Sequence, residues 1–353
     1  MNKFKIDAAY WKTDDAVLFD EEALERIDAV EKKLQFVFSM DSGEAAFFAR
    51  QLEFVKAKTY DVKYPNLRAQ ELLPVSTEAG PGANTITYRQ YNMVGQMKFI
   101  AQYAKDLPRV DIYGKEFHAF VKSMGSSYGY TIQEVRNAMY ANVPLQQRKA
   151  NAARLAYEQA VNRNAWFADG SSTYAGCVGL FYNSNITTMV APTGLWCDST
   201  GASLGKTPDQ IIADVNTAIN YVPQLTKMVE QVNTVLMPSI HLSYIKTTMR
   251  STISDATIYE VLVRNHPGVS FEALNEAFAV PASTATGMSW SSTNPNILIA
   301  YDKNPDKLTL EVPQPFEQFP VQEVGLEYEI PCHARYAGVI TYYPLSILLM
   351  YGI

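Results

Sequence analysis

Apolar and polar positions alternate with period two in some stretches of this chain and recur every three to four residues in others. Ile86 and Tyr88 alternate with Thr85, Thr87 and Arg89. Val110 and Ile112 alternate with Arg109, Asp111 and Tyr113, and Phe117, Ala119 and Val121 with Glu116, His118 and Lys122. Residues two apart share one face of a strand, so these stretches predict strands, with Tyr113-Gly114-Lys115 read as a turn. Polar residues are frequent on both faces. Such a ribbon has little core of its own and needs a partner surface to lie on.

Helical spacing appears elsewhere. Asp20 is placed to cap a helix, with Glu21 and Glu22 at the positive end of its dipole. Ala23, Ile27, Val30, Leu34 and Val37 then form a single stripe. A helix with one apolar face must dock, either on the chain's own core or on a neighbouring subunit. Residues 1–60 therefore read as an arm, and Gly80, Pro81 and Gly82 as a turn or joint before the main body. Thr131 with Glu134 three residues on predicts a capping box and a short helix to about Ala141. Pro144 starts a second helix that meets no Gly or Pro from Leu145 to Asp169, roughly 25 residues or ~37 Å. Gly170 is its natural stop.

After Gly176 a strand-and-loop stretch, GCVGLFYNSNITTMVAPTG, leads to a helix opened by Pro208, with Ile211, Ile212, Val215, Ile219 and Val222 on one stripe. Pro238 precedes a helix near Ser239–Arg250, and Ser254–Val263 and Ser270–Phe278 read as two short ones. Strands and helices in alternation predict a compact α/β subdomain. Residues 281–295 read as a polar surface loop. Leu308, Leu310 and Val312 alternate with Lys307, Thr309 and Glu311, and Val324, Leu326, Tyr328 and Ile330 with Gly325, Glu327 and Glu329. The closing AGVITYYPLSILLMYGI is almost wholly apolar, as expected of a terminus tied into a core.

Composition narrows the function classes. A chain of 353 residues, 47% hydrophobic and 12% aromatic, can bury a large core as one elaborate domain or two. A net charge of −6 argues against a surface built to wrap nucleic acid, which needs clustered Lys and Arg. Cys177, Cys197 and Cys332 give neither a disulfide framework nor a CxxC knuckle, so they read as reduced thiols. The N-terminus lacks a secretion signal, and the longest apolar run, Leu345 to Met350, falls far short of the ~20 residues that span a membrane. The expectation is a soluble protein made in the cytoplasm.

Candidate chemistry is sparse. His118, His241, His266 and His333 have no metal-ligand spacing to each other or to a Cys. Cys332 and His333 are adjacent on a predicted strand and point to opposite faces, so they cannot form a nucleophile–base pair. Gly201-x-x-x-Gly205-Lys206-Thr207 resembles the end of a phosphate-binding loop without its register, and reads as a loop. Asp302–Lys307 reads as a hairpin turn. No catalytic, cofactor or metal residue is expected, and a chain with this much pattern spent on shape reads as a building block.

Several phrases carry a family resemblance: YRQYNMVGQMKFIAQYAKDLPRVDIYGKEF, SSYGYTIQEVRNAM, GLFYNSN and the closing YEIPCHARYAGVITYYPLSILLMYGI. With the element order, they resemble the major capsid proteins of tailed bacteriophages, the Hong Kong 97-type shell fold, over about residues 60–353. The resemblance implies an α+β fold with an N-arm at 1–60, an extended β-hairpin loop at 84–125 and a peripheral domain at 61–83, 126–175 and 305–353. That domain would hold a long spine helix at about 131–170, and an α/β axial domain would occupy 176–304. It implies self-assembly into hexamers and pentamers of an icosahedral head around double-stranded DNA, which is contacted non-specifically. A separate scaffolding protein, a portal and a decoration protein are the further implied partners, and the virion capsid the location. Ile27, Leu34, Tyr88, Arg89, Tyr91, Arg109, Lys115, Glu116 and Lys122 would make inter-subunit contacts. Lys98, Lys115 and Lys122 lie in or near the loop where some members form Lys–Asn crosslinks, and ordinary surface lysines are the alternative. Two rival readings stand beside this one: a bacterial nanocompartment shell of the same fold, and a soluble enzyme with an unrecognised site.

Overall fold

The computed structural model describes residues 64–100, 107–141, 144–192, 194–197, 201–203, 205–251, 254–281 and 296–353. The predicted arm helix, with Ile27 and Leu34, and the predicted surface loop from 282 to 295 lie outside the described residues.

Two cores share one sheet. Its strands are β5 (Thr187–Val190), β6 (Thr234–Met237), β9 (Ser270–Ala273), β10 (Ile297–Tyr301) and β16 (Ile347–Tyr351), in the order β5-β16-β10-β6-β9. Alternate residues go to opposite faces. Ile297, Ile299, Tyr301, Ile347, Leu349 and Leu236 join one core, and Leu298, Ala300, Leu348, Met350, Val235 and Met237 the other. A sheet covered on both faces reads as an unbroken apolar run, which explains the ILLMY close. It also moves a boundary: β16, expected with the elements after 305, lies between β5 and β10 among strands of the 176–304 segment.

One face of the sheet is covered by α4 (Pro208–Leu225), α5 (Ser239–Thr247) and α6 (Ile258–Asn265). The predicted stripe of α4 is buried as read. Thr207 and Gln210 form a capping box before it, so the Gly201–Thr207 stretch serves as a helix entry. The short-helix readings at 254 and 270 need correction. Ser254–Thr257 is β8, paired with β7 (Met249–Ser251), and only Ile258–Asn265 is helical. Ser270–Ala273 is β9, parallel to β6, followed by a single 3-10 turn. Neighbouring strands override weak local helical spacing there.

The other core is built on α3 (Leu145–Phe167), a helix of 23 residues that buries Ala153, Val161, Ala165 and Trp166. α1 (Ala69–Leu72) tucks Ala69 and Leu72 against it. α2 (Ile132–Tyr140) starts at the predicted Thr131–Glu134 capping box. The expected spine at 131–170 is thus two helices, interrupted before Pro144 because Pro has no N–H to continue α2. β1 (Val75–Ser76), β11 (Leu308–Glu311) and β15 (Gly338–Thr341) make a three-stranded sheet. Lys307–Glu311 was expected to alternate, yet Thr309 and Glu311 are as buried as Leu308 and Leu310. Asp302–Lys307 is likewise no hairpin, since it links β10 to β11 in different sheets; Lys307 there binds Asp302 and Glu230.

The last two β units set the site. β4 (Lys122–Thr131) runs antiparallel to β14 (Glu327–Tyr336) over its full length, from Tyr336 opposite Lys122 to Glu327 opposite Thr131. β12 (Gln314–Gln318) and β13 (Gln322–Val324) follow each other on the opposite edge of β14. Among the described residues, β2 (Thr85–Val94) and β3 (Asp111–Phe120) pair only with each other. The turn expected at Tyr113-Gly114-Lys115 is internal to β3, where the three residues oppose Asn92, Tyr91 and Gln90. Gly114 leaves room for the Tyr91 ring, which would lie 3.1 Å from an added Cβ.

Candidate interaction surface

Among the described residues, the ribbon β2–β3 is fixed at one end. At its root Tyr88 faces Phe117 across the strands, the rings stacked at 5.1 Å and 14°. Tyr342 packs against Tyr88 in a T-shaped pair at 4.9 Å and 82°. Arg335 of β14 donates to Asn84 Oδ1 at 2.8 Å and to the Pro81 carbonyl, and the Val121 N–H donates to Asn84 O at 3.0 Å. Burial raises the Tyr88 phenol above its ordinary range. Beyond the root every described ribbon residue from Arg89 to Val94 and from Asp111 to Glu116 is exposed.

The outer part of the ribbon carries exposed apolar side chains among its polar ones. Tyr91, Met93, Val94, Ile112 and Tyr113 lie open, and Met97 and Phe99 beyond it are 101% and 108% exposed. A stretch of this kind is far outside the scattered single apolar residues normal on a surface and marks a contact region. Arg89 and Glu116 pair at 2.7 Å across the strands. The pair is exposed, so it holds register more than it adds stability. Lys115 lies 4.9 Å from the Phe117 ring centre.

The structure gathers Tyr88, Arg89, Tyr91, Lys115 and Glu116 on the ribbon and leaves Arg109 exposed just before β3. Lys122 is the exception: it opens β4 and faces Tyr336, so it belongs to the sheet. Two apolar surfaces escaped the sequence reading. On α2, no residue is buried, Met139 is 77% exposed and Tyr140 almost fully so. Around β13, Val321, Val324 and Leu326 are open. Val135 and Met139 at i, i+4 were the available signal on α2.

Among the described residues the candidate Cys and His side chains lie apart or are taken up by structural bonds. Cys332 is buried with its thiol pushed up by burial, and His333 follows it on β14. His266 bonds Asn216 at 2.8 Å, His118 bonds Thr87 at 2.9 Å, and His241 of α5 is fully buried. Among the described residues no group of three His, Cys, Asp or Glu is placed to hold a metal ion.

The family model "Major capsid protein" matches residues 95–353. The chain belongs to the major capsid protein family. Among solved structures, the capsid of Myoviridae phage XM1 superposes with a TM-score of 0.72 at 16% identity, covering 86% of this chain and 98% of that one. The capsid of a native GTA particle gives 0.57 at 9% identity, covering 88% and 98%. The structure from Mycobacterium phage Ogopogo gives 0.55 at 13%, covering 86% and 97%. No curated protein matches. The fold is the Hong Kong 97-type capsid fold, and among the described residues this capsid subunit's ribbon forms a sheet of two strands. No helix among the described residues is long and apolar enough to cross a membrane.

Proposed function

We propose that this phage head-shell protein assembles as hexamers and pentamers around double-stranded DNA, with the ribbon lying on a neighbouring copy. One observation carries the reading: a paired ribbon whose outer half exposes apolar side chains and which has no third strand among the described residues. Covering that surface by another copy turns an exposure cost into interface burial. Head-to-tail contacts of this kind close into rings, and many weak contacts add into a stable shell. Arg89, Tyr91, Arg109, Lys115 and Glu116 act as contact residues on the ribbon. The body with α3 and the β4–β14 sheet acts as the peripheral part, and the five-stranded sheet with α4, α5 and α6 as the axial part. A scaffolding protein, a portal and a decoration protein complete the set of partners. The family match supports the phage head over the nanocompartment reading.

Negative-stain electron microscopy with light scattering on the full chain, alone and co-expressed with a scaffolding protein from the same head operon, tests this. Closed shells or rings of five or six subunits support it. A monomer or dimer under both conditions that binds a small metabolite would favour an enzyme instead.

A further inference from the structure

Among the described residues, the contacts that fix the ribbon on the body lie within a few residues of its root, and Tyr342 is at the centre of them. Its backbone is held on both sides. β15 pairs with β11 up to Thr341, and the Tyr342 N–H donates to Lys307 O at 2.9 Å. Its ring forms a T-shaped pair with Tyr88, which stacks on Phe117. Its phenol sits over a buried polar pair: the Thr309 hydroxyl donates to Glu311 Oε1 at 2.9 Å, and the Tyr342 hydroxyl lies 3.2 Å from Thr309 Oγ1 and 3.5 Å from the same Oε1, both of which can accept its proton. Tyr88 in turn donates to the Thr341 carbonyl at 3.5 Å.

We infer that Tyr342 is the seat that sets the angle of the β2–β3 ribbon on the body, and so a positioning residue for association between copies. This rests on the shell reading above. The lever arm explains why one contact matters. Arg89 to Val94 spans about 20 Å at ~3.3 Å per residue, so a tilt of ~10° at the root moves the outer end by ~3–4 Å. That is a whole atomic contact distance, enough to unseat the apolar outer half from a packed interface. Arg335, through Pro81 and Asn84, fixes the strand that leads in, and Tyr342 fixes the face on which the ribbon leans.

The test compares the full chain with Tyr342→Ala, Tyr342→Phe and Tyr343→Ala, the last an exposed neighbour. Amide exchange is followed by mass spectrometry, and shells are counted by electron microscopy. The expected result for Tyr342→Ala is at least tenfold faster exchange at 85–88 and 117–120, with β10 and β16 unchanged and far fewer closed shells. Tyr342→Phe keeps the ring on Tyr88 and retains most of the protection, and Tyr343→Ala behaves as the unsubstituted chain. Unchanged root exchange in Tyr342→Ala overturns the inference. Should that variant not fold, Tyr88→Leu removes the same contact from the ribbon side and is judged by the same exchange. An unsubstituted chain that forms no shells would count against the shell reading, while the exchange result still decides the role of Tyr342.

Discussion

At Gly179 the backbone runs so close to the end of α3 that an added Cβ would lie 2.8 Å from the Asn164 carbonyl oxygen and 2.9 Å from Ala168 N. The approach is needed because a helix leaves its last carbonyls without partners. The N–H groups of Gly179, Leu180 and Phe181 take those of Ala168, Ala165 and Trp166 at 2.7, 2.8 and 3.1 Å. Gly179→Ala therefore costs about 1–3 kcal/mol by overpacking, read as a lower urea midpoint at unchanged m-value; an unchanged midpoint would show the contact to be soft. The sequence displayed GLFYNSN as a strand and loop, and its role at a helix end 11 residues upstream of Gly179 depends on a turn that no local pattern encodes. The same holds for Lys206, read as part of a loop. It is buried against Asp214 of α4, donates to Pro192 O at 2.7 Å, and shares Asp214 with the Trp196 indole N–H at 2.8 Å. Lys206→Met strands a buried carboxylate and costs about 3–5 kcal/mol, whereas Lys206→Met with Asp214→Leu recovers most of it. Equal losses in the single and double variants would contradict that.

His241 gives the residue scale its pH dependence. It is fully buried, its Nε2–H donates to Ile353 O at 3.2 Å, and Nδ1 has no partner to receive a second proton's hydrogen bond. Burial drives its pKa down from 6.5 to about 4, against a smaller opposing pull from the Ile353 carbonyl. Between those values the unfolded chain takes up a proton that the folded one refuses. This contribution is full above pH 6.5 and is lost as pH falls towards 4, about 3 kcal/mol in all. His241→Phe should flatten the stability curve across that window; an equally steep acid limb would assign it to other groups.

At the scale of elements, patterns that act within one element were readable and those decided between elements were not. The Thr131–Glu134 capping box, the α4 stripe and the Pro144 start all appear where the spacing put them. The ribbon was legible as a ribbon because its polar share on both faces excluded a core. Its turn was misplaced because Tyr113-Gly114-Lys115 has turn composition inside a strand whose partner, β2, specifies ten paired positions. β8 and β9 were misread for the same reason. α2 yields a prediction of its own. Met139 is exposed, so Met139→Asp should leave the melting temperature unchanged, yet reduce shell yield several-fold if this face meets another copy. Normal yield would remove α2 from the contact surface.

For the whole molecule, element order together with quoted phrases was enough to point to the capsid fold, and the match over residues 95–353 establishes the family. What order alone could not give was the return of β16 into the central sheet, which locks the end of the chain between β5 and β10. A strand buried on both faces carries no alternation, so nothing in its pattern names its neighbours. The central claim is that copies join through the ribbon. Its most direct test joins Arg89 to Glu116 by an Asn-Gly turn, removing the outer ribbon while keeping the Tyr88–Phe117 root, and compares this chain with the full one by electron microscopy under the same assembly conditions. The account predicts a folded subunit with unchanged circular dichroism that makes no closed shells where the full chain does. Shells of normal size and number from the trimmed chain would contradict it.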